Sequence, residues 1–204
     1  MRSASLPGRV IFLNGISSSG KTTLARAIQD ESETPFVYWG IDTLFGLVPP
    51  NWGGGRDGPL SRDGFWYDRT DSDVDGRPSV TVRYGNAGRR MLRSACAAGA
   101  QFAHGGDDLV IDEMLLTPDL LQMWMDALNG LDVQLVRVTC PLAVAEQREL
   151  ARGKEIGLAR GHLRSIHDHG YTYDTTVDTT TGTPAELARI VLRQQHQVKD
   201  ETRL

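Results

Sequence analysis

The sequence predicts an α/β protein: a five-stranded parallel sheet with helices on both faces. Three observations carry that reading. Apolar runs of strand length alternate with segments of helical period along most of the 204 residues. Alternation of this kind builds a parallel sheet buried on both faces, with right-handed crossovers. The first strand runs straight into a Gly- and Ser-rich turn, "NGISSSGKTT", and a helical pattern follows it at once. At this length one domain, residues 1–204, is the default.

Each element has its own signal. Residues 9–14 are a short buried strand. Leu24, Ala25 and Ile28 recur at helical spacing, so a helix starts near Lys21. "PFVYWGID" reads as the second strand, ending near Asp42, and "TLFGLVPP" as a short helix stopped by Pro49 and Pro50. From Asn51 to about Val80 the chain is rich in Gly, Asp and Arg and keeps no period, which predicts a long loop; such loops in compact domains usually serve function. "YGNAGRRMLRSACAAGAQFAHGG" is a helix closed by Gly105 and Gly106. "DLVIDEM" is the third strand. "TPDLLQMWMDALNG" is a helix with Thr117 as N-cap, Pro118 at its first position and Gly130 beyond its end. "DVQLVRVTC" is the fourth strand and "PLAVAEQRELARG" a helix. Residues 153–170 are charged and Gly-interrupted. "YTYDTTVDTT" carries the fifth strand and "TPAELARIVLRQQHQV" the last helix.

Composition narrows the function classes. The formal net charge of -4 argues against a general nucleic-acid or membrane-surface binder. No apolar run is long enough for a signal peptide or a membrane span. Two cysteines, Cys96 and Cys140, have no metal-type spacing and read as buried apolar residues in a reduced, cytoplasmic setting.

The chemistry concentrates where parallel sheets put it, at the carboxyl ends of the strands. Gly15 to Thr22 match GxxxxGK(S/T), between a strand and a helix as the motif requires. Gly15 and Gly20 let the backbone curl so that the N–H groups of Ser17, Ser18 and Ser19 point into one concavity. The helix N-terminus, including Thr23, adds its positive end. Lys21 supplies a charge for the β- and γ-phosphates of ATP, and the Thr22 hydroxyl can ligate Mg²⁺. Apolar residues ending in Asp112 complete a P-loop NTPase pair, with Asp112 on the magnesium. Glu113 is then a supporting acid or an organiser of water or substrate; a solvated pair of acids is the plain alternative.

Three features separate the kinds of P-loop protein. No guanine-reading NKxD sequence is present, and 204 residues leave no room for a motor's second domain. An isolated Asp42 follows the second strand, where a carboxylate could face the γ-phosphate and accept the proton of an attacking hydroxyl. Capping of the helix "IDTLFG" is the other role open to it. Arg148 and Arg152 share a helix face, and Lys154 and Arg160 follow, so this stretch can close over ATP as a lid. A solvated charged face paired with Glu146 and Glu149 is its simpler reading. His167 and His169 earn no assigned role.

Together Leu13–Thr22, Gly40–Leu44, Val110–Glu113, Val144–Gly153 and Tyr173–Thr180 resemble the chloramphenicol phosphotransferase family, in order and over most of the chain. The resemblance implies an ATP-dependent O-phosphotransferase with a nucleoside-monophosphate-kinase-like fold and a lid. It implies that Asp42 is the catalytic base, that Lys21 and Thr22 hold ATP and Mg²⁺, that Arg148 and Arg152 serve the phosphates, and that Thr179 lies near the adenine. Residues 51–83 depart from that family and mark the acceptor side. There Trp52, Phe65, Trp66 and Tyr67 could wall a pocket, with Arg83, Tyr84 and Arg90 beside them, or could pin a long loop to the body. The expected reaction moves the γ-phosphoryl of ATP to a hydroxyl of a small molecule, foremost an antibiotic. A metabolite, sugar or nucleoside kinase is the related alternative, and a nucleotide-binding switch is the reading from another class. A homo-oligomer is compatible with all three.

Overall fold

The computed structural model describes residues 6–153 and 155–201. Five parallel strands form one sheet: β1 (Arg9–Asn14), β2 (Phe36–Gly40), β5 (Asp108–Glu113), β6 (Asp132–Thr139) and β7 (Thr175–Asp178), in the order β2-β5-β1-β6-β7. The central strand β1 pairs with β5 through Leu13–Asp112 and with β6 through Leu13–Val136. This register brings the ends of β1 and β5 side by side, so the Gly-Ser turn and the acids of "DE" meet. Helices α1 (Lys21–Glu31), α3 (Asn86–Gly105), α4 (Pro118–Ala127), α5 (Leu142–Ala151) and α7 (Pro184–Glu201) make the crossovers and the outer layers.

The two-residue period of β1 divides the core. Ile11 and Leu13 point to one face, packing with Leu24 and Ile28 of α1 and Leu187 and Val191 of α7. Val10 and Phe12 point to the other, against Leu92 and Cys96 of α3 and Leu120 and Trp124 of α4. Phe12 meets Trp124 edge to face at 5.8 Å. Both cysteines are buried and free. Among the described residues no helix is long and apolar enough to cross a membrane.

Two expectations change. The stretch after Asn51 is not a structureless loop. After a 3-10 turn at Pro50–Trp52 it forms an antiparallel hairpin, β3 (Phe65–Ser72) with β4 (Pro78–Tyr84), bulged between Asp68 and Asp71. Phe65, Val80 and Val82 face inward, while Asp68 to Ser72 carry polar groups into solvent, so alternation survives over only a few positions. The second change is at Asp42. Strand β2 ends at Gly40, and Asp42 lies in the first turn of α2 (Ile41–Leu47). Gly40 is that helix's N-cap, and no side chain caps it.

Candidate active site

Strand β1 is buried to its last residue, Asn14, which anchors the turn that follows. Its amide donates to the Ile166 carbonyl (2.7 Å) and the Tyr173 hydroxyl (2.6 Å), and its oxygen accepts the Leu115 N–H (3.2 Å). At Gly15 a Cβ would come within 2.3 Å of the Val138 carbonyl oxygen, so the turn passes too close to β6 for any other residue. Gly20 is the N-cap of α1 at φ 100°, a conformation that suits glycine. Ser18 also has a positive φ, 57°. The side chain of Ser19 is fully buried and its hydroxyl has no partner. Lys21 is buried, its Nζ donating to the Gly15 and Ile16 carbonyls at 2.9 Å each. Burial pulls its pKa down, against the opposing field of Asp112, Glu113 and Asp42. An orphaned hydroxyl, curled N–H groups and a desolvated ammonium at a helix N-terminus fit a phosphate chain.

Asp112 and Glu113 end β5 on opposite faces, as the strand period dictates. Asp112 faces the turn. Its Oδ2 accepts the Thr22 hydroxyl at 2.6 Å and the Tyr38 hydroxyl at 3.1 Å. Hard oxygen donors of this type suit magnesium. Burial and the Asp112 charge push the Tyr38 pKa up, and the Arg26 guanidinium sits 4.1 Å over the Tyr38 ring. Glu113 faces the opposite core. Its Oε1 accepts the Trp124 indole N–H at 3.2 Å, its other oxygen has no partner, and burial pushes its pKa up to about 8. It supports the core beside the site and does not line it.

A cleft of about 440 Å³ opens over Lys21, Thr22 and Asp112. From α2 come Ile41, Asp42 and Phe45; from the hairpin, Tyr67 and Val82; from the segment after α5, Arg152, Glu155 and Leu158. Asp42 therefore shares one cavity with the phosphate-loop lysine. Tyr38, Phe45 and Tyr67, with Ile41, Val82 and Leu158, supply its aromatic and apolar lining.

A model of the family described as "Chloramphenicol phosphotransferase-like protein" matches residues 8–196. The chain belongs to that family. A Mycobacterium tuberculosis (strain ATCC 25618 / H37Rv) protein named "Putative O-phosphotransferase Rv2636" is 33% identical over 185 residues, 89% of this chain and 80% of that one. Among solved structures, a sugar kinase from Janibacter sp. superposes with a TM-score of 0.62 at 18% identity, covering 92% of this chain and 94% of the other. The Mycobacterium tuberculosis APS kinase gives 0.62 at 14%, covering 94% and 99%. The fold is that of P-loop kinases.

In this phosphotransferase-like chain, Arg148 donates to the Ser18 carbonyl (3.3 Å) and to Thr179 Oγ1 (3.0 Å), and Thr179 donates to the Ser19 carbonyl (2.6 Å). Thr179 thus braces the outside of the phosphate loop. Thr23 is exposed on α1, outside the cleft lining. Arg152, the C-cap of α5, reaches the cleft. Arg160 does not: it pairs with Asp73 and Glu146. Lys154 lies outside the described residues. Four expected acceptor residues sit elsewhere. Trp52 and Arg90 line a separate apolar groove of about 320 Å³ between α2 and α3, with Trp39 and Met91. Trp66 lies under the Arg62 guanidinium, and Arg83 pairs with Asp68 at 3.5 Å, both on the strand face turned from the cleft. The strand period explains this: Phe65, Tyr67 and Val82 take the inner face, so Trp66 and Arg83 take the outer. His167 and His169 both meet the Tyr173 hydroxyl, at 2.8 and 2.7 Å. No group of three or more residues able to hold a metal ion occurs among the described residues. Sequence reasoning missed Tyr38, Phe45 and Glu155 as cleft residues.

Proposed function

We propose that the protein transfers the γ-phosphoryl group of ATP to a hydroxyl of an uncharged small molecule of antibiotic type. The observation that carries this is the sharing of one cleft by Lys21, the Thr22–Asp112 pair and the Asp42 carboxylate, with Tyr67 and Phe45 as an aromatic wall. A nucleotide switch needs the first two features and has no use for the third. The charges favour an uncharged acceptor. Asp42 and Glu155 face the cleft, and Arg152 is the one arginine among its described lining residues. Arg69 is bound to Glu155 through two hydrogen bonds, at 2.6 and 3.0 Å, and pairs with Asp57. An anionic acceptor would meet these carboxylates, and the guanidinium beside the cleft, Arg69, is already bound to Glu155.

The residues divide the work. The phosphate loop and Lys21 hold the β- and γ-phosphates. Asp42 accepts the proton of the acceptor hydroxyl as its oxygen bonds to the γ-phosphorus. The bond from that phosphorus to the β–γ bridging oxygen breaks, and ADP leaves. Lys21 and Arg152 balance the charge spread over the transferring group. Magnesium, held through Thr22 and Asp112, would neutralise charge on the same phosphates. Phosphorylation adds about two negative charges to the acceptor at pH 7, which would spoil its target binding or membrane passage.

The test incubates the purified protein with ATP, Mg²⁺ and a panel of hydroxyl-bearing antibiotics, nucleosides and anionic metabolites. Mass spectrometry then seeks one added phosphoryl group. Product from a neutral antibiotic supports the proposal. Product from anionic metabolites alone, or ATP binding with no product from any acceptor, sinks it.

A further inference from the structure

We propose that Glu149 is a positioning residue that ties the helix holding the phosphate loop to the acceptor-side hairpin, so that nucleotide on the loop orders the acceptor wall. The inference rests on the phosphotransferase reading above. Glu149 is fully buried in the last turn of α5, next to Arg148 and three residues before Arg152. Its Oε1 accepts the Ala159 N–H at 2.7 Å and its Oε2 accepts the Gly157 N–H at 3.2 Å. The same turn of α5 holds the phosphate loop through the neighbouring Arg148, whose guanidinium donates to the Ser18 carbonyl at 3.3 Å. Burying a carboxylate costs several kcal/mol unless donors surround it. Here two backbone N–H groups do so, both from the start of α6 (Leu158–His162).

From α6 and the residues leading into it the connection continues into the hairpin. The Gly157 carbonyl accepts the Val80 N–H at 3.0 Å. The Val82 N–H donates to His162 Nε2 at 2.9 Å. Arg160 reaches Asp73 in the hairpin turn, and Glu155 holds Arg69 on β3. The approach is so close that a Cβ at Gly161 would lie 1.9 Å from the Val80 carbonyl oxygen. A two-stranded hairpin is marginal alone in water, so this one depends on α6. Tyr67 and Val82 of the hairpin and Leu158 of α6 wall the cleft together. A nucleotide that engages the phosphate loop and Arg152 restrains the last turn of α5 from both sides, and through Glu149 the acceptor wall is the next body along.

Hydrogen exchange on the full chain, with and without AMPPNP and Mg²⁺, tests this. In the native protein AMPPNP slows exchange in the phosphate loop, at Ala159, and at Val80 and Val82. Glu149→Gln keeps the shape but sets an amide N–H₂ against a backbone N–H. It keeps loop protection and loses about tenfold of the protection at Ala159, Val80 and Val82, the worth of one charge-assisted hydrogen bond. Gly161→Ala leaves Glu149 untouched and parts α6 from β4; it keeps protection at Ala159 and loses it at Val80 and Val82. That variant decides the matter if Glu149→Gln fails to fold. Protection of the loop alone in the native protein, or full hairpin protection in either variant, overturns the joint and leaves the phosphotransferase reading standing. No protection anywhere overturns the nucleotide reading and the joint with it.

Discussion

The Thr22 hydroxyl donates to Asp112 Oδ2 at 2.6 Å, and this contact joins the first residue pair of α1 to the end of β5. Two hard oxygens, one from the first turn of α1 and one from the end of β5, meet beside the point where β1 and β5 run in register. Tyr38 donates to the same carboxylate oxygen from β2, so three elements converge on it. Asp112→Asn removes the charge and keeps the shape. Phosphotransfer should fall at least about 10²-fold, and the Mg²⁺ concentration needed for half-maximal rate should rise. A magnesium titration of initial rates checks this; an unchanged midpoint and rate would remove Asp112 from the metal role.

Asp42 lies in the first turn of α2 and caps nothing. Its position in the cleft is therefore free for chemistry. Asp42→Asn should leave AMPPNP affinity near native and lower turnover at least about 10²-fold, the low end for loss of a general base. Calorimetric titration and single-turnover assays separate the two. Near-native turnover in that variant would end its assignment as base.

At Gly20 two constraints coincide. The residue is at φ 100°, and a Cβ there would lie 3.0 to 3.1 Å from the Thr179 side chain. Thr179 is also the group that holds the Ser19 carbonyl. Gly20→Ala should cost about 1–3 kcal/mol of stability through backbone strain and weaken AMPPNP binding about tenfold or more, because the loop loses its brace. Urea unfolding and a binding titration measure the two effects. A variant of native stability and affinity would show that the turn tolerates a side chain.

The phosphate loop was legible because its signal is local: eight consecutive residues between an apolar run and a helical pattern. The sheet was legible because each strand is a short apolar run closed by turn residues. The hairpin was not, because Arg69 to Ser72 are exposed and carry no apolar alternation. Trp52 and Arg90 were misplaced for a related reason. They neighbour the acceptor segment in sequence, but the chain turns at Pro50–Trp52 and α3 directs Arg90 and Met91 toward a different groove. Glu149 reads in sequence as a solvated helix charge. Only packing shows that it is buried against Gly157 and Ala159. Tyr38 is hidden likewise in an apolar strand, since its role comes from an oxygen on β5.

His162 gives the stability prediction. Its ring is buried at the junction of α6 and β4, where Nε2 accepts the Val82 N–H. Burial, with the nearby Arg83 and Lys21 charges, pushes its pKa down from 6.5 to about 4. The unfolded chain therefore binds a proton that the folded chain refuses between those values. Stability from this group is present in full above pH 6.5 and is lost as pH falls to about 4. The gap is worth about 3 kcal/mol. Protonation also removes the acceptor of Val82, so the hairpin should loosen first. His162→Gln keeps a side-chain acceptor without a titrating ring. Urea unfolding of the native protein, compared with this variant from pH 7 to 4, should show a loss of about 3 kcal/mol in the difference. Parallel curves over that range would mean that His162 protonates freely in the folded state.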